Sequence, residues 1–247
     1  MVRIEYINAK WAGEIKLGKE VLEYFKKQKI TSVALFASSQ FTELDSVKSQ
    51  LKNLGISVNI TKAKRTDGGV QILGCDCYAD SFERPIIQKS EVILYVGDGL
   101  FHPKALLLSQ INFKEIKPVL IWDCVAEKMS ILTEKEIKIQ INKMKRNLRI
   151  YINSFKIGIL VTTKPGQQYI NLALRLKEVL KKQGKKAFIF TDNTFDLKQL
   201  ENYPFIECWV NTACPRIGTD DITTTEKALI NIRDAFAPAT ALEMISK

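Results

Sequence analysis

The sequence predicts an α/β protein of two duplicated domains, each a parallel sheet with flanking helices. Short apolar runs alternate with longer amphipathic stretches along the 247 residues, which is typical of buried parallel strands joined by helices. The length suits two domains of roughly 120 residues each. The segments SVALFASSQF (32–41) and IGILVTTKPGQ (157–167) both read as a strand, a small polar loop and a helix, which suggests an internal duplication.

Apolar runs set the expected strands, and amphipathic periodicity sets the expected helices. The expected strands are 32–37, 56–60, 92–96, 118–122, 157–161, 187–190 and 208–210. One expected helix ends at Lys27, a second spans 41–54 with Gly55 as its C-cap, and a third follows Pro103. Further helices are expected at 169–182, 197–202 and 224–236. A charged stretch at 133–151 also has helical period, with Thr133 as its N-cap. We therefore expect one domain at 1–132, and a linking helix with a second domain at 133–247.

Composition limits the classes of protein to consider. Hydrophobic residues make up 46% of the chain and the net charge is +10. No stretch approaches the ~20 apolar residues that span a bilayer, and no apolar signal segment follows the polar N-terminus, so we expect a cytoplasmic protein with no membrane partner. The basic surface favours an acidic partner such as nucleic acid or an acidic protein, but the scattered charge does not choose between them.

Five cysteines are the clearest candidates for chemistry. An odd number in a cytoplasmic chain argues against a disulfide framework. Cys124 and Cys214 follow predicted strands, and Cys75 lies in a glycine-containing loop. Ligands of open parallel sheets bind beyond the carboxyl ends of the strands, so thiols of two facing domains would converge there as iron–sulfur ligands. The alternative for each cysteine is a small buried hydrophobe; it is favoured for Cys77, Cys124 and Cys208, and spacing alone leaves Cys75 and Cys214 open.

Three stretches carry a resemblance to a known family. In order they are ILGCD (72–76), YVGDGLFHP (95–103) and VNTACPRIGTDD (210–221). They resemble the catalytic subunit of diphthamide synthase, and ASSQF (37–41) and LVTTKPGQ (160–167) also look like loops of that family. The resemblance runs from about Ile4 to Asp221, with the ACPR and GDGxFH motifs as its most specific parts.

The resemblance implies a [4Fe–4S] cluster, S-adenosylmethionine as cofactor and a three-domain architecture. It implies that the family cleaves S-adenosylmethionine to a 3-amino-3-carboxypropyl radical, which adds to a histidine of elongation factor 2. Two of the family's cluster ligands match Cys75 and Cys214.

Further residues are assigned with alternatives. We expect Gly97, Asp98, Gln167 and Arg216 to contact the cofactor. The alternative for Arg216 is a salt bridge, and the alternative for Asp98 is a turn-shaping role. His102 is expected to have a structural role in its loop, with a catalytic base as the alternative, and no catalytic residue is assigned.

The chain also departs from the family pattern. The family's first domain, which carries the first cluster ligand, has no counterpart in the sequence. A partner chain with that domain could supply the third ligand, or Cys124 or Cys77 could replace it. Cys124 is the preferred substitute, because it follows a strand at the expected cluster-facing edge. We expect a dimer, with such a chain or with a family paralogue.

Three functions remain at this point. The first is an iron–sulfur 3-amino-3-carboxypropyl transferase that needs a partner chain. The second is a non-catalytic or electron-transfer partner of such an enzyme. The third is another small-molecule enzyme that uses an open iron of a [4Fe–4S] cluster as a Lewis acid. Retention of both thiols in their loops favours the first function over the second.

Overall fold

The computed structural model describes residues 10–246, which fall into two compact units. The first unit ends at Glu136 and the second begins at Ile137. Residues 1–9, where the polar N-terminus and the start of the resemblance at Ile4 fall, lie outside the described residues, as does Lys247.

The first unit contains a five-stranded sheet of order β2-β1-β3-β4-β5. Its strands are β1 (Ser32–Ala37), β2 (Ser57–Asn59), β3 (Val92–Val96), β4 (Val119–Asp123) and β5 (Lys128–Leu132). The first four are parallel, and β5 returns antiparallel to β4. The apolar runs SVALFA and VILYV became strands because almost every residue in them is buried, as expected of a sheet covered on both faces.

Helices of the first unit pack on this sheet. They are α1 (Lys19–Lys27), α2 (Asp45–Asn53), α3 (Ile86–Lys89) and α4 (Phe101–Leu108). Val21 and Phe25 of α1, and Val47 and Leu51 of α2, are spaced four residues apart and share one buried cluster with Leu35 and other sheet residues. Pro103 lies in the first turn of α4, where a missing N–H breaks no helical hydrogen bond.

The second unit contains a four-stranded, fully parallel sheet of order β7-β6-β8-β9. Its strands are β6 (Lys156–Thr162), β7 (Lys186–Asp192), β8 (Cys208–Asn211) and β9 (Leu229–Asn231). Its helices are α5 (Lys138–Asn153), α6 (Ile170–Lys182), α7 (Ile232–Phe236) and α8 (Pro238–Ser246). The side chain of Asn147 on α5 donates to the carbonyl of Leu229 at 2.9 Å, which ties this helix to the sheet.

The two sheets share one topology, and the predicted fold class is confirmed. Numbered within its own unit, each sheet has the parallel order 2-1-3-4. The chain therefore reverses direction across the sheet between β1 and β3, and again between β6 and β8. These reversal points are where open α/β sheets bind their ligands.

ILGCD (72–76) and NTACPR (211–216) each hold a cysteine in a loop of small residues, which in sequence suggests equivalent positions in a duplication. ILGCD (72–76) lies in the connection after β2, whereas NTACPR (211–216) follows β8, the third strand of its sheet. The two cysteine loops are therefore not equivalent by duplication. The counterpart of the Cys214 loop is the GDG loop after β3.

Two other predictions were wrong. The helix expected at 224–236 is instead a 3₁₀ turn at Asp221–Thr224, the buried strand β9 and the short helix α7. Thr133 does not begin α5; it precedes a 3₁₀ turn at Glu134–Ile137. Its N–H and its hydroxyl both donate to the Glu136 carboxylate, at 2.6 and 2.9 Å.

Between residues 10 and 246, no helix has the length and apolar character needed to cross a membrane.

Candidate functional site at the strand ends

The Cys75 loop is attached to the carboxyl end of β1. Gln71 forms a parallel bridge with Ala37, the last residue of β1. The Ala37 N–H donates to the Val70 carbonyl at 2.8 Å, and the Ala37 carbonyl accepts the Ile72 N–H at 3.1 Å. Asp76 then closes a tight turn: its carboxylate accepts the N–H of Leu73 at 2.8 Å, and its own N–H donates to the Leu73 carbonyl at 3.0 Å. Burial raises the pKa of Asp76, although this bond and the charge of Arg65 oppose the shift. The turn presents Cys75 partly exposed.

Gly74 brings the Cys75 loop against the loop after β3. A Cβ on Gly74 would lie 1.9 Å from Cε1 of Phe101, so only glycine allows this close approach. The next residue, His102, stacks on Tyr95 with ring centroids 6.4 Å apart and meets Phe101 edge-on at 5.5 Å. These contacts are consistent with the structural role expected for His102, and they bring the ILGCD and GDGLFH motifs together.

The GDG loop itself forms a strained turn at the end of β3. Gly97 has φ +154° and its N–H donates to the Trp122 carbonyl of β4 at 3.0 Å. A Cβ on Gly97 would approach the Tyr95 hydroxyl to 2.7 Å. That hydroxyl is buried, and burial raises the pKa of Tyr95 above its usual value. The turn thus needs glycine for both conformation and space.

A pocket of about 490 Å³ opens at this edge of the first sheet. Asp98 lines it together with Asp123 at the end of β4 and with Trp11 and Phe41, whose rings lie 5.9 Å apart. Its remaining lining residues are Lys10, Gln40, Val125 and Ala126. The pocket therefore combines aromatic faces with two carboxylates at a topological reversal point.

Cys124 follows β4 directly, as the sequence predicted. The Asp123 carboxylate accepts the N–H groups of Val125 and Ala126 at 3.0 and 2.9 Å, which folds the turn into β5. The Cys124 side chain packs partly against the core of the first unit. Burial, and to a lesser degree the charges of Asp123 and Asp98, raise the pKa of the Cys124 thiol. A raised pKa disfavours the thiolate, so Cys124 is a poorer ligand in this setting unless the metal itself displaces the proton.

The Cys214 loop is held by two asparagines on neighbouring strands. Asn211 of β8 donates its side-chain amide to the Cys214 carbonyl and to Asn231 of β9, both at 2.8 Å, and its side-chain oxygen accepts the Ala213 N–H at 3.0 Å. Asn231 donates to the Pro215 carbonyl at 2.8 Å. Both asparagines are buried, whereas Cys214 is partly exposed. The network fixes the backbone on both sides of an accessible thiol.

Arg216 turns inward from this loop. Its guanidinium is buried and forms an ion pair with Asp220, with Nε donating to Oδ2 at 2.5 Å and Nη2 contacting the same oxygen. Within residues 10–246, the other carboxylate oxygen of Asp220, Oδ1, is buried with no hydrogen-bond partner. The salt bridge that the sequence left open as an alternative is therefore present, and a cofactor contact by Arg216 stays a prediction.

The five thiols divide into two groups. Cys77 and Cys208 are buried, as expected, and burial strongly raises the pKa of Cys208. Cys75, Cys124 and Cys214 are partly exposed at strand ends, so each is accessible as a single ligand of an iron–sulfur cluster, with Cys124 the least favourable of the three because its pKa is raised. Within the described residues, no three His, Cys, Asp or Glu side chains come together as a metal site. The part of the chain that the structure describes thus offers accessible single ligands that are not gathered into one group.

The remaining predicted contact, Gln167, lies in the loop after β6. Its N–H donates to the Lys164 carbonyl at 3.1 Å in a turn that continues through Gly166, whose φ is +78°. This loop and the Cys214 loop follow adjacent strands, since β6 pairs with β8. The predicted contact of Gln167 with the cofactor stays a prediction.

The sequence did not predict the roles of three residues whose side chains hold the cysteine loops, namely Asp76, Asn211 and Asn231. Asp76 and Asn211 lie inside the motifs quoted above, but their side chains hold the loops instead of facing a ligand. Asn231 is 17 residues beyond Cys214 and lies on a strand that was read as helix. A correct strand assignment would have placed Asn231 beside Asn211, because the two are partners across β8 and β9.

We expect Gly74→Ala to lower the free energy of unfolding by about 1–2 kcal/mol, since the added methyl group must push the Phe101 ring away. The same substitution in a Phe101→Ala background should cost less than about 0.5 kcal/mol. Gly69→Ala is the matched control, because a Cβ there meets no atom within 4 Å. Urea unfolding of the four variants measures the coupling; equal losses in both backgrounds would contradict the contact.

The fold and these loops define a duplicated α/β protein with accessible thiols at the carboxyl ends of its parallel strands. A family model described as "Putative diphthamide synthesis protein" matches residues 2–242. The chain belongs to this family.

Known relatives agree with the family assignment. A 2-(3-amino-3-carboxypropyl)histidine synthase of Pyrococcus horikoshii is 29% identical over 224 residues, which cover 90% of this chain and 58% of that protein. A Dictyostelium discoideum protein named subunit 1 of this synthase is 26% identical, over 81% of this chain and 42% of its own length. The crystal structure of Dph2 from Pyrococcus horikoshii with a 4Fe-4S cluster matches with a TM-score of 0.66 at 25% identity. That match covers 92% of this chain and 61% of the solved one, so the chain spans about 60% or less of the length of these relatives.

Proposed function

We propose that this chain is part of an iron–sulfur transferase that moves the 3-amino-3-carboxypropyl group of S-adenosylmethionine to a histidine of elongation factor 2. The relatives named above are synthases of the corresponding modified histidine. The observation that carries the proposal is the Cys214 loop, whose thiol is partly exposed while buried asparagines hold the backbone around it. A structural cysteine would not need such a fixed, accessible position at a strand end.

Cys75 and Cys214 are the proposed cluster ligands, and Cys124 is the proposed third ligand within the chain. When bound and reduced, a [4Fe–4S] cluster would supply the electron that cleaves a carbon–sulfur bond of the sulfonium to give the 3-amino-3-carboxypropyl radical. The protein's own contribution is to hold the thiols: the Asp76 turn fixes Cys75, and the asparagine pair fixes Cys214.

The pocket beside the GDG loop is the proposed place for part of S-adenosylmethionine. Its two aromatic side chains can stack on a flat base, and Asp98 and Asp123 can accept hydrogen bonds from ribose hydroxyls or attract a cationic sulfonium. Gly97 lets the backbone approach closely at this point. Gln167 at the corresponding edge of the second unit would contact the cofactor by its amide. Arg216 would do so only if its ion pair with Asp220 opened.

The partners follow from the same proposal. The alternative to Cys124 as third ligand is a second chain, either one carrying a further domain or a family paralogue, which would complete the cluster site; the lack of a three-ligand group among the described residues supports it. The two halves differ in charge, because residues 137–247 carry 18 Lys and Arg against 10 Asp and Glu. This basic half suits an acidic surface of a translation factor, in the cytoplasm, where elongation factor 2 acts.

Anaerobic iron–sulfur reconstitution of the purified chain tests the proposal. Wild type is expected to take up iron and sulfide and to give the EPR signal of a reduced [4Fe–4S] cluster, which S-adenosylmethionine perturbs. Cys75→Ala and Cys214→Ala should each abolish the signal, and Cys124→Ala should lower the iron content. Cys208→Ala is the matched control, since that thiol is fully buried in β8.

Two results would contradict parts of the proposal. Iron retained at the wild-type level in both Cys75→Ala and Cys214→Ala would remove the ligand assignment. A folded wild-type chain that binds no cluster, even when produced together with a family paralogue, would remove the transferase function. In that case the lack of a three-ligand group among the described residues favours a non-catalytic partner of such an enzyme, whereas an electron-transfer partner would still have to bind a cluster.

A further inference from the structure

Strand β7 is an unusually open sheet edge. It is the outermost strand of the second sheet, and no strand of residues 10–246 pairs with its other side. It has seven residues, whereas the other edge strands β2, β5 and β9 have three, five and three. Proteins normally protect long edges with proline, bulges or inward-pointing charges. The sequence of β7, KAFIFTD, has charge only at its two ends.

The backbone of β7 presents a regular set of unpaired groups. The Lys186 N–H donates to Phe155 and the Asp192 carbonyl accepts from Thr163, so both residues face β6. Successive residues of a strand direct their N–H and C=O groups to opposite sides. Ala187, Ile189 and Thr191 therefore point their N–H and C=O groups to the open edge.

The side chains of β7 are self-complementary about Ile189. When β7 pairs antiparallel with a second copy of itself, the residues whose N–H and C=O groups point to the open edge must lie opposite one another to exchange hydrogen bonds. The register that places Ile189 opposite its own copy meets this condition over all seven residues. It also sets Lys186 against Asp192 of the second copy, at both ends of the strand. Neither side chain forms an ion pair with another described residue.

An exposed aromatic cluster adjoins this edge. Phe188 is 38% exposed and packs edge-on against Phe205, which is 43% exposed, at 5.5 Å between ring centroids. Tyr203, 37% exposed, meets Phe205 at 6.3 Å. In the same register Phe188 lies opposite Phe190 of the second copy, a favourable cross-strand aromatic pair. Pairing would thus cover apolar surface that solvent now contacts.

We propose that a second copy of this chain pairs with β7, strand against strand and antiparallel about Ile189, to make one continuous eight-stranded sheet. The pairing forms an isologous two-fold interface, in which each contact occurs twice. About six main-chain hydrogen bonds, two Lys186–Asp192 ion pairs and the aromatic cross-strand pairs hold it. This interface is independent of the cluster and of the proposed reaction.

Charge reversal tests the register directly. Sedimentation equilibrium of the purified wild-type chain should give a dimer. Lys186→Asp and Asp192→Lys each place like charges opposite one another at both ends and should raise the dimer dissociation constant about tenfold or more. The double variant Lys186→Asp/Asp192→Lys restores opposite charges and should return to within about threefold of wild type. It also controls for the lost contact of Lys186 with the Phe155 ring.

The matched control is Lys182→Asp, which makes the same charge change at the exposed end of α6 and should leave the dimer unchanged. Circular dichroism checks that each variant is folded. A monomeric wild-type chain would overturn the proposal. That result is also expected if a strand of some other protein, and not a second copy, pairs with the open edge of β7. A dimer that neither single reversal weakens, or that the double variant fails to restore, would overturn it as well.

Discussion

Arg216→Ala is expected to lower the free energy of unfolding of the cofactor-free chain by about 3 kcal/mol. The guanidinium is buried and both of its contacts with Asp220 use one carboxylate oxygen. Removing it leaves a largely buried carboxylate without its counter-charge, and breaking such a pair costs several kcal/mol. The Asp220 N–H also donates to the Arg216 carbonyl at 2.7 Å, so the side-chain pair closes one turn of the loop that carries Cys214.

A double-mutant cycle separates the ion pair from other effects of Arg216. Arg216→Ala/Asp220→Ala should recover about half or more of the loss, because no unpaired charge remains. Arg175→Ala, an exposed arginine on α6, should change the stability by less than about 0.5 kcal/mol. Urea denaturation without S-adenosylmethionine is the measurement. Full stability of Arg216→Ala in the absence of the cofactor would contradict the structural role and revive the cofactor contact.

The core strands could be predicted because they are the most buried parts of the chain. SVALFA, VILYV and IGILV are nearly continuous apolar runs, and each became a central strand of a parallel sheet. Edge strands lack this signal. β5 carries KMSIL and pairs on one side only, so it resembled a loop before the charged stretch. β9 is only three residues long, and its surroundings have enough helical period to hide it.

The helix boundaries show a second limit. The helix expected from residue 41 begins at Asp45, because Phe41 and Leu44 are buried in the core as an irregular segment before α2. Apolar spacing alone cannot separate such a segment from a first helical turn. The second helix of the first unit still ends where glycine predicts, with Gly55 at φ +74° just beyond it.

The candidate site could be predicted only in part, for a related reason. The chemistry-bearing cysteines are visible in the sequence, and their strand-end positions follow from the fold class. The side chains that hold them depend on which strands are neighbours. Asn211 and Asn231 meet only because β9 lies beside β8, and Gly74 meets Phe101 only because the loop after β2 returns to the end of β1. Such pairings are non-local, so local periodicity carries no trace of them.

The asparagine pair also suggests why the Cys214 loop has little freedom. The Asn211 side-chain oxygen accepts the Ala213 N–H, and the two amides donate to the Cys214 and Pro215 carbonyls. These carbonyls also accept the backbone N–H groups of Ile217 and Gly218, both at 3.1 Å, so each is held by two donors. Hydrogen bonds that hold the backbone on both sides of the thiol are the kind of preorganisation a ligating residue requires.

Asn231→Ala should lower the free energy of unfolding by about 1–2 kcal/mol and loosen the Cys214 loop. The substitution removes a donor to the Pro215 carbonyl, which keeps the Gly218 N–H, and removes the acceptor of one N–H of the buried Asn211 amide, which still donates to the Cys214 carbonyl. Alkylation of Cys214 under native conditions should become several-fold faster, while alkylation of Cys75, in the other unit, should not change. Asn171→Ala, an exposed asparagine on α6, is the control for stability.

The two readouts distinguish a positioning role from simple loss of stability. Alkylation can be compared at a temperature where less than about one per cent of the variant is unfolded, so that faster modification reports local opening of the loop. Mass spectrometry of the peptides assigns the modified thiol. If Asn231→Ala lost stability but Cys214 reacted at the wild-type rate, the asparagine pair would support the sheet without positioning the thiol. Unchanged stability would contradict the hydrogen-bond network itself.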